Sequence, residues 1–213
     1  MQHKKWVPVS LIHKAVQRNY SNQGYKMNGF IRIIAGKWRG RKLSVLDKLG
    51  LRPTTDRVKE TLFNWLMPVM HNSECLDCFS GSGSLGFEAA SRGAKNVTML
   101  EKDKQVANQL IKNKQLVVAE GIEVFHTDTL LWLSKPAHKK FDIVFIDPPF
   151  HQSLVATTVS QLEDNDWLND NSYIYIEAEI GLNLLDKIPS NWHLHREKTA
   201  GQVHSYLFIR ENS

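Results

Sequence analysis

Residues 76–94 read LDCFSGSGSLGFEAASRGA. The run leaves an apolar strand at Cys78-Phe79, passes through Gly81-Ser82-Gly83-Ser84-Leu85-Gly86, and continues into an alanine-rich helix. A glycine-x-glycine-x-x-glycine loop set between a strand and a helix is the nucleoside-binding turn of a doubly wound α/β sheet. The glycines let the backbone turn sharply and approach a ligand closely. Glu101 ends the next apolar run, 18 residues after Gly83, where a carboxylate is placed to accept both hydroxyls of an adenosine ribose. The loop alone leaves NAD and S-adenosylmethionine both open. Asp77 favours the second, because it lies inside the first strand, where the pyrophosphate of a dinucleotide would be repelled. S-adenosylmethionine carries a sulfonium and an ammonium, which an acid attracts. Phe79, between Asp77 and the loop, joins Gly81, Ser82 and Gly83 as a candidate cofactor contact. Asp128 follows the third strand as Glu101 follows the second, so it can either take the adenine amino group or cap the helix that starts at Thr129.

Outward from this loop the chain alternates. Apolar runs at Cys75–Phe79, Asn96–Leu100, Ile122–His126, Phe141–Ile146 and Tyr173–Ala178 predict strands. Helical windows at Leu85–Arg92, Lys104–Val117, Thr129–Ser134 and Leu154–Leu162 lie between them. Such alternation predicts a parallel sheet with crossover helices. Trp192–Thr199 and Val203–Arg210 differ, because only Ala200-Gly201-Gln202 separates them. No helix fits in that gap, so the last pair is predicted antiparallel. Upstream, 51–66 (LRPTTDRVKETLFNWL) predicts a helix: Pro53 breaks, Thr54 or Thr55 caps, and Val58, Leu62, Trp65 and Leu66 share a face.

The fourth strand runs into Asp147-Pro148-Pro149-Phe150. Two successive prolines remove two backbone donors and fix an extended turn at the carboxyl edge of the sheet, where such folds bind their ligands. An exocyclic amino group is a poor nucleophile, since its lone pair is delocalised into the base. Two acceptors that hold its hydrogens let the nitrogen pyramidalise and aim that pair at a methyl carbon. The Asp147 carboxylate and the Pro148 carbonyl suit that task, and Phe150 suits stacking on the base. The tetrapeptide therefore points to amino-methylation of a nucleic-acid base.

Charge is unevenly spread. Residues 1–60 hold 14 lysines and arginines against Asp47, Asp56 and Glu60, while the remainder holds 13 against 19 acids. In 30–43 (FIRIIAGKWRGRKL) apolar and basic residues alternate around two glycines, which predicts a hairpin with one charged face. Arg32, Lys37, Arg39, Arg41 and Lys42 on that hairpin are candidate RNA contacts, with a solvated face as the alternative. Arg52, Thr55 and Arg57 flank the helix start and can serve cofactor or RNA. Residues 1–26 hold no acid. They read as a basic leader, disordered or ahead of a translation start at Met27, or else as a mitochondrial address.

At 213 residues, 42% hydrophobic and 23% charged, the chain suits one α/β domain with a small appendage. No apolar stretch approaches the roughly 20 residues of a membrane helix. Two cysteines point away from an oxidising compartment, and the cytoplasm is the expected setting. Cys75 and Cys78 have C-x-x-C spacing, but positions three apart on a strand face opposite ways, and there is no second pair; they are expected in the core, and no metal is expected. His193 and His195 read as a surface pair without an acid partner.

In combination, 31–43, 51–66, 76–94, FDIVFIDPPF at 141–150 and HREKTAGQV at 195–203 resemble the bacterial RsmD family over about residues 30–210. That resemblance implies S-adenosylmethionine-dependent methylation of the N2 of one guanine in 16S ribosomal RNA, free or within the small subunit or its assembly intermediate. It implies a class I, Rossmann-like methyltransferase fold of seven strands, mostly parallel, with an antiparallel last strand. It also assigns Asp77, Gly81, Ser82, Gly83 and Glu101 to the cofactor and Asp147 to Phe150 to the guanine. The expected division is a leader at 1–27, a basic hairpin at 28–52 and the methyltransferase domain at 53–213. Three alternatives stand beside it. An amino-methyltransferase of another RNA or DNA base shares the tetrapeptide, an NAD-dependent oxidoreductase shares only the glycine loop, and an RNA-binding protein without catalysis would not need Asp147.

Overall fold

The computed structural model describes residues 27–48, 55–149, 154–180, 184–201 and 203–211. The leader 1–26, Arg52 and Phe150 lie outside the described residues. The chain opens with a hairpin, β1 (Met27–Arg32) against antiparallel β2 (Lys42–Leu46). Then α1 (Asp56–Trp65) starts at Thr55, whose hydroxyl accepts from the Val58 N–H, and a short α2 (Met67–Met70) follows it.

The alternating part follows as β3 (Glu74–Asp77), α3 (Ser84–Ser91), β4 (Asn96–Glu101), α4 (Lys104–Leu116), β5 (Ile122–His126), α5 (Thr129–Leu133), β6 (Phe141–Ile146), α6 (Leu154–Asp164) and β7 (Leu168–Glu179). A 3-10 turn at Leu185–Lys187 leads to β8 (Trp192–Ala200) and β9 (Val203–Arg210). Seven strands form one sheet in the order β5-β4-β3-β6-β7-β9-β8. β3 pairs in parallel with both β4 and β6, and β6 with β7, whereas β9 enters antiparallel between β7 and β8. The order reverses between β3 and β6, which makes their carboxyl ends the switch point where open α/β sheets bind ligands.

Alternation along the strands builds a core on each face. Cys75, Ile143, Phe145, Tyr175 and Leu207 point to one face, with Leu62, Phe63, Phe87 and Leu110 of the helices above them. Leu76, Val144, Ile146, Ile174 and Phe208 point to the other, under Leu133, Val159 and Leu162. Cys75 and Cys78 are fully buried and free, one in each core, as their spacing predicts. Ile31, Ile33, Leu43 and Val45 of the hairpin belong to the first core, so the hairpin is packed onto the sheet body.

The structure differs from the sequence reading at three places. β7 begins at Leu168, five residues before Tyr173: Leu168 pairs with Phe141, and the polar run Asn169 to Ser172 fills the register shift before Ile143 meets Tyr173, with Asn169 donating to Asp142 at 2.7 Å. α2 was not anticipated; Pro68 sits in its first turn, where its missing N–H costs nothing. An acid does accompany one of the two surface histidines, since His193 Nε2 lies 3.5 Å from Glu211 Oε2.

Candidate active site

The glycine loop crosses the carboxyl end of β3. Gly81 and Gly83 both adopt positive φ, 46° and 79°, a backbone region in which side chains are strained. Gly83 is also closed in by Phe87 and Leu110, since a Cβ there would lie 2.7 Å from each. Gly86 brings α3 close to β3: its N–H donates to Asp77 Oδ2 at 3.1 Å, and a Cβ would meet that oxygen at the same distance. The loop is thus tied to the acid that precedes it. Ser84 Oγ at the start of α3 is buried with no hydrogen-bond partner.

Asp77 is 2% exposed, and its pKa is pushed up to about 7, chiefly by burial and further by the charge of Glu101. Phe79 is half-buried and packs against the second core. Glu101 holds the loop from the next strand, accepting the Gly81 N–H on Oε2 at 2.9 Å and the Asp103 N–H on Oε1 at 2.7 Å. Burial raises its pKa, and those two N–H groups oppose the rise. Each carboxylate oxygen retains a second lone pair for an outside donor.

Asp128 is arranged differently. Its Oδ1 accepts the Leu130 and Leu131 N–H groups as the cap of α5, and its Oδ2 lies 2.8 Å from Lys102 Nζ. The Lys102 hydrogen bond holds its pKa below the usual carboxylate value. Oδ1 is filled by the helix cap, while Oδ2, with one partner in Lys102, keeps a lone pair for an outside donor.

Asp147 directly follows β6, one strand from Asp77. Burial pushes its pKa well up, and the charges of Glu177 and Asp77 push the same way. Pro148 is buried and Pro149 exposed, so the turn folds its first ring inward and turns its second to solvent. Asp147, Asp77 and Glu101 therefore meet at the switch point on three neighbouring strands. Glu177 on β7, 7% exposed, is a fourth acid that the sequence reading did not single out. Its Oε1 accepts the Tyr175 phenol at 2.8 Å, and that phenol oxygen lies 3.1 Å from Ser205 Oγ. The signal was present: Glu177 interrupts the apolar run YIYIEA much as Asp77 interrupts its own strand.

The basic hairpin flanks this edge. Arg32, Lys37, Arg39, Arg41 and Lys42 are all exposed, as is Arg57 at the start of α1. Ser44, Val45 and Leu46 of β2 line a small cavity together with Gly81, Ser82 and Gln109. Lys48 just beyond β2 pairs with Asp103 at 2.5 Å. Among the described residues no group of three or more His, Cys, Asp or Glu is placed to hold a metal ion, and no helix is long and apolar enough to cross a membrane.

A sheet of this order with an antiparallel strand at the sixth position, a glycine loop at the switch point and acids ending β3 and β4 defines the class I, Rossmann-like methyltransferase fold. Residues 31–209 match the family profile described as Conserved hypothetical protein 95. Ribosomal RNA small subunit methyltransferase D of Haemophilus influenzae is 56% identical over 183 residues, 84% of this chain and 94% of its own. The Escherichia coli K12 protein of that name is 52% identical over 184 residues, 86% of this chain and 92% of its own. The solved structure of yhhF from Escherichia coli superposes with a TM-score of 0.80 at 50% identity, covering 86% of this chain and 99% of that one. The chain belongs to the ribosomal RNA small subunit methyltransferase D family.

Proposed function

We propose that this protein transfers a methyl group from S-adenosylmethionine to the exocyclic N2 of one guanine in the 16S RNA of the small ribosomal subunit. The observation that carries this reading is the placement of the Asp147-Pro148-Pro149 turn beside Asp77 and Glu101 at the switch point of a methyltransferase sheet. The relatives' shared name supplies the ribosomal RNA.

The residues present fit S-adenosylmethionine. The buried Asp77 and the half-buried Glu101, both with raised proton affinity, suit a ligand that is cationic and carries vicinal hydroxyls, and Ser84 Oγ is an orphaned polar atom at the loop. Glu101 would hold the ribose, with Asp77 and the backbone of Gly81, Ser82 and Gly83 at the methionine side. When bound, the cofactor supplies an electrophilic methyl group on sulfur. The remaining work falls to the protein. Asp147 and the Pro148 carbonyl take the two amino hydrogens and turn the nitrogen lone pair outward, and Phe150 stacks on the base. Position accounts for most of the acceleration. The hairpin cations and Arg57 grip phosphates on the RNA around the target, which must leave its stack to reach the turn. The work is done in the cytoplasm, on free RNA or on an assembling particle, and needs no metal.

The reading is tested by incubating the protein with small-subunit ribosomal RNA, as free RNA and as isolated particles, and S-adenosylmethionine labelled in its methyl group. Label recovered as N2-methylguanine from one site is the expected result. Label in another base, or none from any form of the RNA, overturns it.

A further inference from the structure

The side chains of three neighbouring strands line up beside the proposed methyl-transfer turn. Ile146 pairs with Ile176 in register, so Asp147 and Glu177 stand one step further along adjacent parallel strands. Glu177 pairs in turn with Ser205 on β9. The row lies on the same sheet face as Phe145 and Tyr175, and Phe63 of α1 covers that face, its ring 5.9 Å from Phe145. The charged groups facing Asp147 are Asp77 from β3 and Glu177 from β7. The buried cation of α1, Lys59, is turned elsewhere, giving its ammonium to the Arg32 carbonyl at 2.6 Å and to Asp56 at 3.2 Å. Tyr175 steadies Glu177 by donating its phenol hydrogen to Oε1 at 2.8 Å. Its own pKa is driven well up by burial and by the charge of Glu177, so the phenol keeps its proton and remains a donor.

Methylation of an amino group leaves a proton to be placed. The nitrogen lone pair forms the new bond to the methyl carbon, and the pair of the broken carbon–sulfur bond stays on sulfur. The nitrogen then carries one hydrogen too many and a positive charge, until a base removes it. An isolated carboxylate with a pKa near 4 is a weak acceptor for that proton. A carboxylate held next to a second negative charge in a buried site is a stronger one. We propose that Asp147 receives the proton released by the amino nitrogen, and that Glu177, anchored by Tyr175, is the positioning residue that sets how tightly Asp147 holds it. The donor Tyr175 keeps Glu177 as the charged member of the pair, so the incoming proton goes to Asp147. This inference rests on the methyl-transfer reading above. Its first test uses the protein alone, so that the two can fail separately.

The test follows the side-chain carboxyl carbons by carbon-13 NMR across pH, in the free protein. Burial already raises both members of the pair, and the charge of Glu177 adds to the rise at Asp147. Glu177→Gln keeps the shape and removes the charge, so the Asp147 midpoint is expected to fall by about one pH unit or more, a tenfold loss of proton affinity. An unchanged midpoint overturns the proposal. Tyr175→Phe keeps the ring and removes the donor. The Glu177 midpoint should then rise, and its failure to move overturns the proposal too; this variant carries the test alone if Glu177→Gln does not fold. In the methylation assay the acid limb of kcat for Glu177→Gln should shift to lower pH as its plateau falls. A loss of rate with the limb in its wild-type place assigns Glu177 a purely structural role and overturns the proposal.

Discussion

Asp77 shows most directly how a single residue ties fold to chemistry. Burial under α3 raises its proton affinity, and the Gly86 N–H restrains that rise without cancelling it. The folded state therefore holds this proton more tightly than the unfolded chain, so the contribution of Asp77 to stability falls as pH rises from about 3.8 to about 7. A bound cation has the opposite preference and favours the carboxylate. S-adenosylmethionine affinity, measured by calorimetry, is accordingly expected to strengthen as pH rises toward about 7 and to level off above it. Asp77→Asn should bind more weakly with a flatter profile, whereas an undiminished pH dependence in that variant would remove Asp77 from the site. Glu101→Ala tests the neighbouring strand: loss of a charge-assisted hydrogen bond should weaken binding by about 1.5–3 kcal/mol. These two acids stood out in the sequence because Asp77 interrupts the apolar run that leads into the glycine loop and Glu101 ends the next one. The link between Asp147 and Glu177 was not, since the pairing register of β6 with β7 is decided by packing across strands and leaves no mark on either strand alone.

Among the elements, the hairpin connection departs most from what its residues advertise. Its glycines and cations announce a solvent-exposed turn, yet residues 34–38 are fastened to α3 by a fully buried carboxylate. Glu88 accepts the Ile34 and Ala35 N–H groups at 2.9 and 3.0 Å and pairs with Arg92 at 2.7 Å. Ser91 completes the clasp, its hydroxyl accepting the Trp38 N–H and its carbonyl the Lys37 N–H. Gly36 makes the approach possible: at φ 78°, a Cβ would fall 1.8 Å from the Ser91 carbonyl oxygen. In the sequence, Glu88 and Ser91 look like the polar side of a helix, so this docking could not be read from it. Removing the carboxylate leaves Arg92 and two N–H groups without their partner. Glu88→Ala should cost about 3–5 kcal/mol of stability, the scale for breaking a buried pair, as read by denaturant unfolding. A change within about 0.5 kcal/mol, the range of an ordinary surface substitution, would mean that the clasp does not hold the hairpin. The sheet strands, by contrast, were legible to within a residue or two in most cases, because apolar runs ending in acids, glycines or prolines delimit them. β7 is the exception, because the polar run Asn169 to Ser172 separates its first pair, Leu168 with Phe141, from the rest of the strand.

Across the whole molecule, the basic half and the catalytic edge are separate in sequence and adjacent in space. The excess of cations lies before residue 61, while the glycine loop and the Asp147 turn lie in the acidic remainder. Folding sets β2 beside the loop, with Leu46 lining a cavity shared with Gly81. Exposed cations on the hairpin can thus hold the RNA backbone while the sheet edge holds cofactor and base. Reversing the charge of both Arg39 and Arg41 should weaken RNA binding and flatten its dependence on salt, by about 0.7–0.9 in slope per contact removed. S-adenosylmethionine binding without RNA should stay as it is, and equal salt slopes for variant and wild type would reduce the hairpin to a solvated face. The central claim is that the Asp147 turn methylates one guanine of small-subunit ribosomal RNA. It is tested most directly by mass mapping of methylated nucleotides in that RNA from cells lacking the gene, then restored with wild type or with Asp147→Ala. The account predicts one guanine that loses its methyl group without the gene, regains it with wild type, and is methylated about 100-fold or more slowly by Asp147→Ala. A methylation pattern indifferent to the gene, or restored at the wild-type rate by Asp147→Ala, would contradict it.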